Sequence, residues 1–282
     1  MSDTWTILKV LSWTQAYLAE KGVENSRLES EWLLCEVLGL DRVGLYVNFD
    51  KPLTAAELAA CKVFVGRRAR REPLQYILGS QDFFGLDFEV SPGVLIPRHD
   101  TEVLVQEAVN RCPARAAILD IGVGSGCIAV ALAKTCPDAH VFGVDPSPKA
   151  LELAQRNADR HGVTVTLLQG SLFEPFEGRK FDLIVSNPPY IPTAEIAALQ
   201  PEVRDYEPRE ALDGGPDGLD YYQSIIPAAP AFLEKDGWLL LEVGIGEAPD
   251  VLKIFEATGF FCDLFSASDP GKIERVVGGR KK

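Results

Sequence analysis

A chain of 282 residues with 46% apolar and 24% charged side chains is long for one compact core, so a large domain with a smaller companion is expected. The net charge of −13 argues against a general nucleic-acid binder, because phosphate contacts need a positive surface. No apolar run approaches the roughly 20 residues that cross a bilayer, and Met1 to Lys9 lacks a basic end followed by an apolar stretch, so a cytoplasmic protein is expected.

Residues 1–73 carry 10 Lys/Arg against 10 Asp/Glu, whereas the remainder carries 18 against 31. Cys35, Cys61, Cys112, Cys127, Cys136 and Cys262 form no C-x-x-C pair, and His99, His140 and His161 stand far from any partner at ligand spacing. No metal is expected, and most of the thiols read as small buried apolar residues.

Residues 1–73 read as a small helical domain. Ile7, Leu8, Leu11 and Leu18 mark one helix face. Ser26-x-x-Glu29 has the form of a capping box ahead of Trp32, Leu34, Cys35 and Leu38, with Gly39 as the stop. Thr54-x-x-Glu57 repeats the form before a helix through about Arg71, ended by Pro73. Lys62, Arg67, Arg68, Arg70 and Arg71 gather near that helix's C-terminus. The plainer reading of the cluster is dipole complementarity on a solvated face, and the other is a partner-binding patch. Residues 74–100 read as a linker in which two β-prone runs flank Gly85 as a hairpin, followed by Ser91-Pro92-Gly93 and Pro97.

Over residues 101–282 strands alternate with helices, which predicts a parallel sheet covered on both faces. The expected strands are Ala116 to Ile121, His140 to Val144, Val163 to Leu168, Phe181 to Ser186, Gly237 to Val243, Phe260 to Ser266 and Glu274 to Val277. Helices are expected from Pro148 to His161, from Leu219 to Leu233 and near Glu247 to Thr258. The Asp269-Pro270-Gly271 turn makes the last strand antiparallel.

The first of these strands runs through Asp120 into Gly122-Val123-Gly124-Ser125-Gly126 and then an alanine-rich helix. A dinucleotide fingerprint needs G-x-G-x-x-G; here the third glycine comes one residue early. Asp120 before the turn suits a cationic sulfonium cofactor bearing an amino group better than a diphosphate. Asp145 ends the second strand, 23 residues after Gly122, placed to accept both ribose hydroxyls of NAD or S-adenosylmethionine alike. In the class of sheets that binds such cofactors the residues after the third strand border the adenine, which would put Leu172 on its face and Ser171 or a backbone N–H at its edge.

Asn187-Pro188-Pro189-Tyr190 follows the fourth strand, and two prolines force the backbone out of the sheet at its carboxyl end, where open α/β sheets bind ligands. Such a loop suits a planar NH2 group. The Asn187 side-chain oxygen and the Pro188 carbonyl accept its two hydrogens, Pro189 stiffens the loop, and Tyr190 packs on the face of the group. The tetrapeptide resembles the Asn/Asp-Pro-Pro-Tyr/Phe motif of methyltransferases acting on exocyclic or amide nitrogens.

These motifs occur together with Arg71-Glu72-Pro73-Leu74, Gly79, Phe83-Phe84, Val90-Ser91-Pro92-Gly93-Val94-Leu95-Ile96-Pro97-Arg98, Thr101-Glu102 and Leu241-Glu242-Val243-Gly244. In this combination the chain resembles, over essentially its whole length, the HemK/PrmC-type release factor glutamine N5-methyltransferases. The resemblance implies a class I S-adenosylmethionine-dependent methyltransferase fold, a Rossmann-like seven-stranded sheet with its last strand antiparallel, beside a small N-terminal helical domain that reads the substrate. It also implies methyl transfer to the glutamine of the Gly-Gly-Gln motif in class I peptide-chain release factors. The cofactor would lie against Asp120, the 122–126 turn, Asp145, Ser171, Leu172 and Asn187, and Asn187, Pro188 and Tyr190 would be catalytic. The chain departs from the family at His99, where proline is usual, and at Ser171, where an acid is common. Arg98 and Glu102 are placed to line the cofactor pocket, but four apart at a helix start they read rather as a local ion pair, and Glu242 at the end of another strand is ambiguous in the same way.

Three other readings compete. An adenine N6-methyltransferase on DNA or RNA would present the same NH2 group, but would have to flip the base and hold a polyanion. A scaffold without catalysis need not keep both motifs, and a nicotinamide dehydrogenase conflicts with the glycine spacing.

Overall fold

The computed structural model describes residues 4–282, so the first three positions of the start read above lie outside it. Five helices open the chain, α1 (Ile7–Glu20), α2 (Ser26–Leu38), α3 (Arg42–Val47), α4 (Ala55–Ala69) and α5 (Leu74–Leu78), followed by the strands β1 (Ser80–Phe83) and β2 (Leu86–Glu89). Then come α6 (Glu102–Arg111), β3 (Ala117–Ile121), α7 (Cys127–Thr135), β4 (His140–Asp145), α8 (Pro148–His161), β5 (Val165–Gln169) and β6 (Phe181–Ser186). The chain closes with α9 (Pro201–Tyr206), α10 (Asp220–Ala228), β7 (Leu233–Glu242), α11 (Ala248–Thr258), β8 (Phe261–Ser268) and β9 (Glu274–Lys281). Among the described residues no helix is long and apolar enough to cross a membrane.

The chain forms two compact units, one running through Gly79 and taking in α9, the other holding Ser80–Gln200 and Glu207–Lys282. In the first, Leu74 and Ile77 of α5 join Leu18, Val23, Leu33 and Val65 in one core, which carries this unit past Pro73. The Thr54 capping box forms as expected: the Glu57 N–H donates to the Thr54 hydroxyl at 3.2 Å and the Thr54 N–H to Glu57 at 2.7 Å. The Ser26 box does not. Asn25 stands at the cap with no side-chain bond, and Glu29 is drawn instead to Arg68.

In the basic cluster Lys62 and Arg70 are exposed, while the other three side chains are drawn into ion pairs. Arg68 is 4% exposed and pairs with both Glu29 and Glu202 of α9, Arg71 pairs with Glu202 at 2.6 Å, and Arg67 pairs with Glu72. Arg68→Ala leaves the shielded Glu29 carboxylate without its partner and Glu202 with Arg71 alone, and the expected cost is about 3 kcal/mol. A urea unfolding midpoint checks it.

In the second unit the sheet order is β5-β4-β3-β6-β7-β9-β8. Strands β3 to β7 pair in parallel, and β9 enters antiparallel between β7 and β8. Apolar runs explain this: Ile118, Leu119, Leu183, Ile184 and Val185 are fully buried because helices cover both faces. The chain winds outward from β3 through β4 to β5, then returns to β6 on the other side of β3. The carboxyl ends of β3 and β6 therefore flank the point where the winding reverses, the place such sheets reserve for ligands. β1 and β2 pair as the expected hairpin. Fully buried Asn157 of α8 ties this hairpin to the glycine turn, accepting the Glu89 N–H at 2.8 Å and donating to the Ser125 carbonyl at 2.9 Å.

Candidate active site

The turn after β3 is built by glycine. Gly122, Gly124 and Gly126 have φ of 73°, 53° and 83°, a region that costs other L-residues about 1–2 kcal/mol each. Gly122 and Val123 both donate to the Val144 carbonyl, at 2.9 and 3.0 Å, which pins the turn to the end of β4. Gly126 lies so close to α8 that an added Cβ would stand 3.0 Å from that of Ala154. Gly126→Val is therefore expected to destabilise the protein by about 2–4 kcal/mol, from backbone strain and overpacking together, read as a lowered Tm.

Asp145 is 9% exposed and fixed by two backbone donors, Gly124 N–H to Oδ2 and Ser147 N–H to Oδ1, both at 2.9 Å. Burial raises its carboxyl from the ordinary value while these donors pull it back. One lone pair on each oxygen remains for a ligand. Asp145 lines a cavity of about 440 Å³, the size of small-molecule sites.

That cavity gathers most of the residues expected from sequence: Gly122, Val123, Gly124, Ser125, Asp145, Ser171, Leu172, Asn187, Pro188 and Pro189 line it. Leu172 holds a left-handed φ of 51°, a strained backbone of the kind concentrated at ligand sites, and the preceding Ser171 N–H is held by Glu174 at 2.9 Å.

Gly126, Asp120 and Tyr190 do not line it. Asp120 is fully buried and accepts the Ala129 N–H at 3.1 Å. Gly126, the cap residue of α7, has no side chain to offer the free N–H groups of that helix, so Asp120 supplies the acceptor from β3. Burial raises its carboxyl well above the ordinary range, and it serves the turn from beneath. Tyr190 packs against the apolar cluster that includes Tyr222 and Val243, its ring so near Gly244 that a Cβ there would meet it at 3.0 Å. Burial raises its phenol. A glycine loop clamps the main chain beyond it: Ile191 N–H donates to Leu212 O at 3.0 Å and Gly214 N–H to Ile191 O at 2.9 Å. A Cβ at Gly214 would meet the Tyr190 backbone at 2.8 Å. Tyr190 thus anchors the loop from the core side.

Asn187 donates from Nδ2 to the Thr101 hydroxyl at 3.2 Å, and Ser186 bonds the Ile121 carbonyl at 2.7 Å, joining the ends of β6 and β3. The segment before α6 supplies further walls, Val94, Pro97 and Thr101, which local reading passed over, and Arg98. Arg98 does not pair with Glu102. It pairs with Glu207, which is 6% exposed and also accepts the Ile96 N–H at 3.2 Å. Glu102 instead takes the Phe84 N–H at 3.0 Å and faces His99. The arrangement has an apolar slot, an acidic residue with two free lone pairs and a glycine-rich turn, which suits an adenosine-bearing cofactor such as S-adenosylmethionine.

Residues 9–79 match the family described as PrmC N-terminal domain, and residues 98–200 match the methyltransferase small domain. A release factor glutamine methyltransferase from Geobacter sulfurreducens is 69% identical over 99% of this chain and 98% of its own length. One from Chlorobaculum tepidum is 43% identical over 96% of each. A solved methyltransferase from Pyrococcus furiosus shares the fold, with a TM-score of 0.54 and 19% identity over 77% of this chain and 98% of that one.

Proposed function

The chain belongs to the release factor glutamine methyltransferase family, and from that membership we propose that it methylates the side-chain amide nitrogen of the glutamine in the Gly-Gly-Gln motif of class I peptide-chain release factors, in the cytoplasm. S-adenosylmethionine supplies an electrophilic methyl group on a sulfonium centre. The observation that carries the reading is that Asn187 and Pro188 line the same cavity as the glycine turn and Asp145.

In this reading Asp145 accepts the ribose hydroxyls through its two remaining lone pairs, and Leu172 with Ser171 borders the adenine. The Asn187 oxygen and the Pro188 carbonyl accept the two hydrogens of the glutamine amide. An amide nitrogen is a poor nucleophile because its lone pair is delocalised. Holding both hydrogens fixes the plane of the group, aims the nitrogen at the methyl carbon and favours the positive charge that develops there, so catalysis rests on positioning and local electrostatics. Tyr190 keeps the loop in register from behind, and the helical unit reads the release factor. Relatives alike over their full length point to a protein glutamine and away from adenine.

The test mixes the enzyme, methyl-labelled S-adenosylmethionine, unmodified release factor and an adenine-containing nucleic acid. One added methyl on the Gly-Gly-Gln glutamine, absent when that glutamine is replaced, is the expected result; label in the nucleic acid alone would refute the proposal.

A further inference from the structure

Glu242, the last residue of β7, is 2% exposed, and its Oε2 has no partner among the described residues. Its strand neighbours β6, with Leu241 opposite Ser186, one residue before Asn187. Thr101, also 2% exposed, ends the short turn His99–Thr101 before α6. The Thr101 hydroxyl lies within hydrogen-bonding reach of the Glu242 carboxylate and accepts from Asn187 Nδ2 at 3.2 Å. We propose that Glu242 and Thr101 act together as positioning residues that set which way the Asn187 amide faces, turning its oxygen toward the reacting glutamine. The inference rests on the amide-holding role given to Asn187 above.

The argument is one of hydrogen-bond polarity. A hydroxyl has one hydrogen to give. An ionised carboxylate only accepts, so Glu242 claims the hydrogen of Thr101, and Thr101 is left facing Asn187 with lone pairs alone. Only the NH2 end of the Asn187 amide satisfies that partner, so its oxygen faces the cavity. With a protonated Glu242 the order reverses: the carboxyl donates to Thr101, Thr101 donates onward, and the Asn187 amide turns over, presenting hydrogens to hydrogens.

The groups facing Glu242 come from several elements: Asp100 beside Thr101, Arg98 from the preceding segment and Arg275 of β9, with Tyr190, Tyr222 of α10 and Cys127 of α7 around them. Burial is the largest influence and raises the carboxyl to about 7, against the Thr101 bond and the two arginines, which lower it. The carboxylate form therefore prevails above that pH, and methyl transfer falls as pH drops through it.

The test is the single-turnover methylation rate of full-length release factor at saturating S-adenosylmethionine, from about pH 5.5 to 8.5. Thr101→Val is expected to slow it about a hundredfold, the scale of a small misplacement. Thr101→Ser, which keeps the hydroxyl, restores the rate. Glu242→Gln cannot ionise, so the acid limb of the wild-type profile disappears. A valine variant as fast as wild type, a serine variant no faster than valine, or an unchanged acid limb in Glu242→Gln would overturn the proposal. Should the valine variant fail to fold, the serine and glutamine variants decide. If Asn187→Ala is slow while Thr101→Val is not, the relay alone fails; if Asn187→Ala keeps full turnover, the reading beneath it fails.

Discussion

Asn187→Ala protein is expected to bind S-adenosylmethionine as wild type does and to methylate release factor about 10²–10³ times more slowly, the cost of removing one preorganised polar group aimed at developing charge. Cofactor affinity survives because the groups proposed for the ribose, Asp145 with its two backbone donors, sit at the end of β4, two strands from the Asn187 loop. The loop survives too, since Tyr190 packed against the core and the Ile191 bonds to Leu212 and Gly214 hold it without the Asn187 side chain. What is lost is an acceptor for one amide hydrogen, so the glutamine nitrogen is free to rotate out of line. Calorimetry with the cofactor and single-turnover kinetics with the release factor separate binding from chemistry. Weakened cofactor binding with an unchanged rate at saturation would assign Asn187 to the cofactor instead.

The opposite pattern is expected for Asp145→Ala. Two hydrogen bonds to a charged acceptor at about 1.5–3 kcal/mol each predict a loss of cofactor affinity of about a hundredfold or more. Part of the loss is indirect, since the Gly124 and Ser147 N–H groups are left without their acceptor and the turn loosens. Asp145→Asn keeps the shape and one acceptor oxygen and is expected to fall between. At saturating cofactor, turnover of the asparagine variant should approach that of wild type, because neither proposed acceptor for the glutamine amide has changed.

Most of the fold was legible because its signals are local. The helix from Pro148 to His161 begins and ends where the sequence placed it, with Pro148 in the first turn and Gly162 in the left-handed cap position. The strands follow apolar runs that alternate with helices, and Asp269-Pro270-Gly271 marks the reversal before β9. The motif residues that line the cavity were legible for the same reason, since glycines and prolines announce a backbone that must turn.

What escaped depends on partners distant in sequence. Arg98 looked four residues ahead to Glu102, but its partner Glu207 lies 109 residues on. Glu29 sits where a capping box would want it, yet Arg68, 39 residues away, claims it. Asp120 stands beside the glycine turn in sequence, but side chains alternate along a strand and this one points to the helix beneath. Tyr190 reads in sequence as packing on the face of a bound NH2 group; the ring is partly buried and packs against the neighbouring apolar cluster. Glu242 carried no local signal at all, since only its burial and the company of Thr101 give it a role.

The most direct measurement is a structure of the full-length enzyme with S-adenosylhomocysteine and an unmodified release factor. The account predicts the Gly-Gly-Gln amide nitrogen within about 2.7–3.2 Å of both the Asn187 side-chain oxygen and the Pro188 carbonyl oxygen. An amide held elsewhere in the cavity, or one meeting the NH2 end of Asn187, would contradict it.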